Sequence, residues 1–211
     1  MMEGLDWASI ITSIGTIILG YFSYNQYTKN KQTDAKLKKM EEDARLERVR
    51  KEEMRLRRND NFALVFGELW NLLYHLKADR VYIIQPHPLG REEMLTVVFE
   101  AKRKGVTSIR GNAQQLKISE CANFASTLVK KPFMYIQDIN KDVTDKFAKA
   151  KFSTSGCQHV IVKKLSDNRH DWVGSIFCEF TDEMEVTMES AEEAMKQAAT
   201  NIQFILPEFK N

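Results

Sequence analysis

The chain has 211 residues, with 31 Lys and Arg against 29 Asp and Glu, 43% hydrophobic residues, 10% aromatic residues and three Cys. This composition excludes a fully disordered chain, a collagen-like repeat and a disulfide scaffold, and the length holds one medium domain plus an appendage. The net charge of +2 hides an uneven distribution: residues 1–28 carry only Glu3 and Asp6, residues 29–58 hold 12 basic and 7 acidic side chains, and residues 59–211 sum to −1.

The first region, 1–28, reads as a transmembrane anchor. Between Asp6 and Lys29 lie 22 uncharged residues, the densest apolar part running from Trp7 to Tyr24. As a helix, Trp7 to Tyr27 spans roughly 30 Å, the thickness of a bilayer's hydrocarbon core. Trp7 at one end and Tyr21, Phe22, Tyr24 and Tyr27 at the other form the expected interfacial belt. The run is also rich in Ser and Thr, which leaves a buried helix of a soluble core as the other reading. A cleaved signal peptide fits less well, because the N-terminus is acidic and the exit side is aromatic, then Lys-rich. Lys29, Lys31, Lys36, Lys38 and Lys39 follow the span and no Lys or Arg precedes it. The expectation is a single pass through the inner or cytoplasmic membrane, N-terminus out and the bulk of the chain cytoplasmic. Ala8, Thr12, Thr16 and Gly20 form a stripe of small residues, a pattern that lets helices approach closely in lipid.

The second region, 29–58, lacks Pro and Gly and is rich in strong helix formers. Glu41–Arg45, Glu47–Lys51 and Glu53–Arg57 place an acid four residues before a base, the favourable order on a helix surface. This predicts a basic helical stalk. Neither heptad register is clean, since one meets Glu47 and Lys51 and the other Glu53; a solvated single helix and a coiled-coil dimer both stay open. The basic excess suits an anionic leaflet. No aromatic residue is interleaved with the bases, so nucleic acid is not an expected partner.

The third region, 59–211, reads as an α/β (α+β) domain. Phe62, Phe66, Leu69, Leu73 and Leu76 recur at helical spacing. Strands are predicted over 80–85 and 94–100, followed by a short helix capped at Ser119 that carries Cys121, Phe124 and Leu128. A short strand at 133–136 and a polar helix at 141–151 come next. Two further strands, 158–165 and 172–180, flank a tight polar turn and read as a hairpin, with Trp172, Gly174, Ile176, Cys178 and Phe180 on one face. A final helix covers about 190–206. An antiparallel sheet with helices packed on it accommodates this order.

The stretches LWNLLYHLKADRVYIIQPHP and HVIVKKLSDNRHDWVGSIFCEF, with Gly174 in the closing strand, resemble the GAF domain, a sensory fold related to PAS. The resemblance covers about 62–206. It implies a mostly antiparallel sheet backed by the N- and C-terminal helices, with a small-ligand pocket on the opposite face. The Asn-Lys-Phe-Asp-Glu series of cyclic-nucleotide-binding GAF domains is absent, as is a chromophore-attachment context around any Cys.

Catalytic signals are sparse. The four His show no ligand spacing, no phosphate loop occurs, and no acid/base pair stands out; neither metal, cofactor nor catalytic residue is expected. By analogy with the family the middle segment lines the pocket, with Phe124, Tyr135 and Phe152 as candidates; otherwise these aromatics pack the core. Cys157, which follows Ser153-Thr154-Ser155-Gly156, is the better candidate for a reactive thiol and joins the ligand-binding candidates, whereas Cys178 alternates with apolar residues and reads as buried. The leading expectation is a membrane-anchored, non-enzymatic GAF-like binding or sensory module acting through a small ligand, a homodimer formed by span and stalk, or another protein partner. The alternative is a structural tether or holin-like membrane effector, possible in a phage genome; a thiol-dependent redox enzyme is the third.

Overall fold

The computed structural model describes residues 7–89, 91 and 93–207, with backbone alone for 7–14, 17, 32, 34 and 35. The chain divides into two compact units, Met1–Leu56 and Arg57–Asn211. Helix α1, Trp7–His75, contributes to both.

In the first unit the stalk residues are helical and solvated. Of the expected surface pairs Glu47–Lys51 forms, at 2.7 Å, and Glu52–Arg55 adds a looser contact of 3.7 Å. Leu37, Met40, Leu46 and Val49 are exposed along this single chain. Among the described residues no helix is long and apolar enough to cross a membrane, so the structure does not support the expected span. The side chains of Trp7 and Thr12 lie outside the described residues, whereas Thr16, Gly20, Tyr21 and Tyr24 are exposed on α1. The Ser, Thr, Gly, Asn and Gln scattered through 8–28 are what dilute the hydropathy of this stretch.

The second unit is built on a six-stranded sheet: β1 (Arg80–His87), β2 (Met94–Lys102), β3 (Leu116–Lys117), β4 (Phe133–Ile136), β5 (His159–Leu165) and β6 (Gly174–Phe180). The spatial order is β3-β2-β1-β6-β5-β4, and every neighbouring pair is antiparallel. β1 and β6, at the centre, join residues 80–84 to 175–179. β1 runs two residues beyond the predicted 80–85, through Pro86 to His87. Beyond Ile84 this strand pairs with β2 alone, so the missing N–H of Pro86 costs no ladder bond on the β6 side.

One face of the sheet packs on the end of α1 and on α5 (Met188–Ile202), through Val65, Leu69, Leu73, Val81, Ile83, Ile176, Cys178 and Met195. The other packs on α2 (Ala122–Lys130), the short α3 (Ile139–Asp142) and α4 (Lys146–Thr154), through Tyr82, Val97, Leu128, Phe152, Val162 and Phe177. β6 is buried on both faces along its whole length, including Ser175 and Glu179. Between Ile83 and Ile84 the β1–β2 register shifts by one residue. Leu95 and Val97 therefore face α2 and α4, while Phe99 and Ala101 face α1, although all four are odd-numbered.

Three local expectations are corrected. The polar helix over 141–151 is two helices, because Asp138 and Asp145 each cap a separate start: Asp138 accepts from the N–H groups of Asn140 and Lys141, Asp145 from those of Phe147 and Ala148. The cap of α2 is Cys121, and Ser119 lies in a 3-10 turn before it. Trp172 precedes β6 and joins the cluster under α2 and α4, not the face of Ile176 and Phe180. There its indole Nε1 donates to Ser175 Oγ at 3.0 Å, which satisfies its one polar atom.

Candidate ligand pocket

A cavity of about 350 Å³ lies between the sheet and the layer formed by α2, α4 and the long connection of residues 103–115. Its floor comes from alternate residues of the two central strands. Arg80 stands directly opposite Glu179 and Tyr82 opposite Phe177. Side chains opposed across an antiparallel pair share one face and touch. Tyr82 and Phe177 stack with ring centres 5.0 Å apart and planes 5° from parallel.

Arg80 and Glu179 form a buried ion pair, with exposures of 0% and 1%. Arg80 donates to Glu179 Oε2 from Nε at 2.9 Å and from its second terminal nitrogen at 2.5 Å, and Tyr82 donates its hydroxyl to Glu179 Oε1 at 2.5 Å. The rest of the guanidinium reaches outward to the backbone carbonyl of Thr107 in the long connection, and to that of Ser155 at 3.1 Å. Ser155 is presented by the end of α4, where Gly156 adopts φ +74°. Its N–H donates to Ser153 O, and the Cys157 N–H donates to Phe152 O, which closes the helix. One arginine thus fastens both walls of the cavity to its floor.

Burial pushes the Glu179 carboxyl above its ordinary value, against the pull of the Arg80 guanidinium and the Tyr82 hydroxyl. Burial first, then the Glu179 charge, holds Tyr82 as a neutral phenol. The floor is electrically neutral overall, and among the described residues no buried side-chain nitrogen or oxygen lacks a partner.

The walls are apolar. Phe124 of α2 and Phe152 of α4 meet edge to face at 5.6 Å, above Phe177. Leu95, Leu128 and Ala148 complete them. Phe124 is fixed by Asp145, which caps α4 and also accepts from the Phe124 N–H at 3.3 Å. Asn112, Lys151 and Thr154 are exposed and line the cavity, so they mark its mouth. Lys151 Nζ lies 3.4 Å from Asn112 O and 5.4 Å from the centre of the Phe147 ring.

The candidates from the sequence separate here. Phe124 and Phe152 line the cavity. Tyr135 does not: on β4 it leans to the α5 side and donates its hydroxyl to Val186 O at 2.5 Å. Cys157 is buried beside the floor rather than in the cavity, its Sγ 3.2 Å from His159 O. Burial pushes the Cys157 thiol well up, and that of Cys178 likewise. Cys121 is the cysteine that lines the cavity; burial raises its thiol to about 11. Sequence reasoning passed over Arg80, Tyr82 and Glu179. Their signal was a charged residue at the start of one apolar strand and another near the end of a second, legible once those strands are known to be neighbours. Among the described residues no cluster of His, Cys, Asp and Glu is placed to hold a metal ion.

No protein-family model matches the sequence, and neither does any curated protein. Solved structures do. The PixJ GAF domain of Thermosynechococcus elongatus, in its blue-light-absorbing form, matches at 15% identity over 70% of this chain and 85% of its own, with a TM-score of 0.57. GAF3 from Synechocystis, in its photoproduct state, matches at 8% identity over 68% and 90%, also with 0.57. The fold is GAF-like. A phycocyanobilin-bound GAF domain from a cyanobacterial phytochrome, 16% identical over 64% of this chain and 77% of its own, matches with a TM-score of 0.51. The GAF-like sheet, terminal helices on one face and cavity on the other, is the arrangement that the sequence resemblance implied.

Proposed function

We propose that this chain is a non-enzymatic, small-ligand-binding sensory module, held at the cytoplasmic face of a membrane by its N-terminal segment and signalling through a partner. The observation that carries the ligand-binding reading is the cavity: about 350 Å³, apolar walls, a few converging polar groups on a rigid two-strand floor. Such a volume falls in the range of ~300–1,000 Å³ typical of small-molecule sites. One solved GAF domain of similar fold carries phycocyanobilin, so a fold of this shape holds an organic molecule. The non-enzymatic reading rests on the chemistry of the floor and thiols. Glu179 is tied to Arg80 and Tyr82, and burial keeps all three thiols protonated at neutral pH, so none is a ready nucleophile. The membrane reading rests on the 22 uncharged residues after Asp6 and on the exposed Ile18, Leu19, Phe22 and Tyr24, whose apolar surface calls for cover.

The test uses the full chain. Extracted from host membranes in mild detergent and examined by native mass spectrometry, it carries a small molecule in near-stoichiometric amount. Leu128→Trp, which fills the cavity, loses that molecule. A chain recovered from the soluble fraction would overturn the anchor; one that never holds a small molecule, either as purified or against aromatic probes, would overturn the ligand-binding role.

A further inference from the structure

We propose that the pocket takes a planar, apolar monoanion, an aromatic carboxylate, with the ring inside and the charge at the mouth on Lys151. The inference rests on the ligand-binding reading of the cavity and names the ligand's chemistry.

The interior asks for no charge. Arg80 and Glu179 neutralise each other, Tyr82 is bound to the same carboxylate, and the remaining guanidinium donors go to the carbonyls of Thr107 and Ser155. An ionised group pushed to this depth would have to break that network, and a buried charge without a partner is costly. The walls instead offer ring surfaces: Phe124 and Phe152 edge to face, with Phe177 below. Such walls suit a flat apolar body.

The mouth is different. Lys151 lines the cavity, is exposed, and among the described residues forms no ion pair with a carboxylate. Its ammonium has three donors, and the carbonyl of Asn112, at 3.4 Å, is the acceptor in reach. That contact places the charge between α4 and the long connection, over the opening. α4 carries Lys146, Lys149 and Lys151 and no acid, while Asp145 before it is taken up in capping and Glu100 accepts from Ser108 and from the Ile109 N–H of the facing connection. A carboxylate on a ring lodged among the phenylalanines meets Lys151 at the rim in a charge-assisted hydrogen bond, the stronger kind.

The experiment titrates the full chain with naphthalene-2-carboxylate and with its neutral isostere naphthalene-2-carboxamide, by calorimetry in mild detergent. The carboxylate is expected to bind about tenfold more tightly, a difference of roughly 1.4 kcal/mol. Lys151→Met brings the two to parity, whereas Lys146→Met leaves the preference in place. Lys151 is exposed, and an unchanged thermal midpoint confirms that the variant is folded. Equal binding of both probes, or a preference that survives Lys151→Met, would overturn the anion assignment and leave the apolar pocket standing. Binding of neither probe would overturn both.

Discussion

Among the described residues, Arg80 and Glu179 are the most deeply buried charges. Their stability is conditional on each other. Glu179→Leu leaves the guanidinium in the interior without its counter-charge and removes the acceptor of Tyr82. That costs about 3–5 kcal/mol, read as a lower urea midpoint. Arg80→Met combined with Glu179→Leu replaces both charges with apolar groups and costs less than the single change, because no uncompensated ion remains. The cysteines make a second, pH-dependent prediction. Burial raises Cys121 to about 11 and pushes Cys157 and Cys178 up as well, while an unfolded thiol titrates near 8.5. The folded chain thus keeps protons that the unfolded chain gives up, so stability is fully present below about pH 8.5 and is lost as pH rises through the folded values. Urea midpoints measured from pH 7.5 to 10 fall progressively, and Cys178→Ala flattens the fall.

At the scale of elements, periodicity carried most of the information and neighbourhood carried the rest. Helix α1 beyond Phe62, the strands β1, β2, β4, β5 and β6, and the closing α5 all announce themselves by spacing. Phe124 and Phe152 were within reach by analogy with the family, whose middle segment lines the pocket. The floor was not. It depends on β1 lying beside β6, a pairing that joins Arg80 to Glu179 across 99 residues. Nor could spacing reveal the one-residue shift near Ile84 that turns Leu95 and Val97 into the cavity face. Tyr135 illustrates the same gap: strand β4 was legible, but which side its tyrosine faces follows from pairing with β5. The β1–β6 junction also explains Gly174. A Cβ there would stand 2.9 Å from the carbonyl oxygen of Ile84, a backbone atom that cannot swing aside. Gly174→Ala therefore pushes β6 off β1 at the edge of the floor and costs about 1–3 kcal/mol, as overpacked sites do. Chemical denaturation measures the loss, and a weaker aromatic-probe affinity reports the distorted cavity.

For the whole molecule, the physics divides at the boundary between the two units. Every residue of both buried clusters lies at Val65 or later, with Phe62 the earliest residue packed against them. The described side chains from Ile18 to Leu56, by contrast, bury little, and their large apolar groups are exposed. Conformational entropy sets the price of folding, and it is met by the apolar area of 57–211. A chain beginning at Arg57 is therefore expected to unfold in one cooperative step with the same urea midpoint as the full chain. Under the proposed anchoring, the same truncation removes the uncharged stretch and the Lys-rich flank and is expected to move the protein from the membrane fraction to the supernatant. The two readouts are independent. Loss of cooperativity would mean that the core draws on residues 1–56, and a truncated chain that still sediments with membranes would place the membrane-binding surface on the GAF-like unit itself.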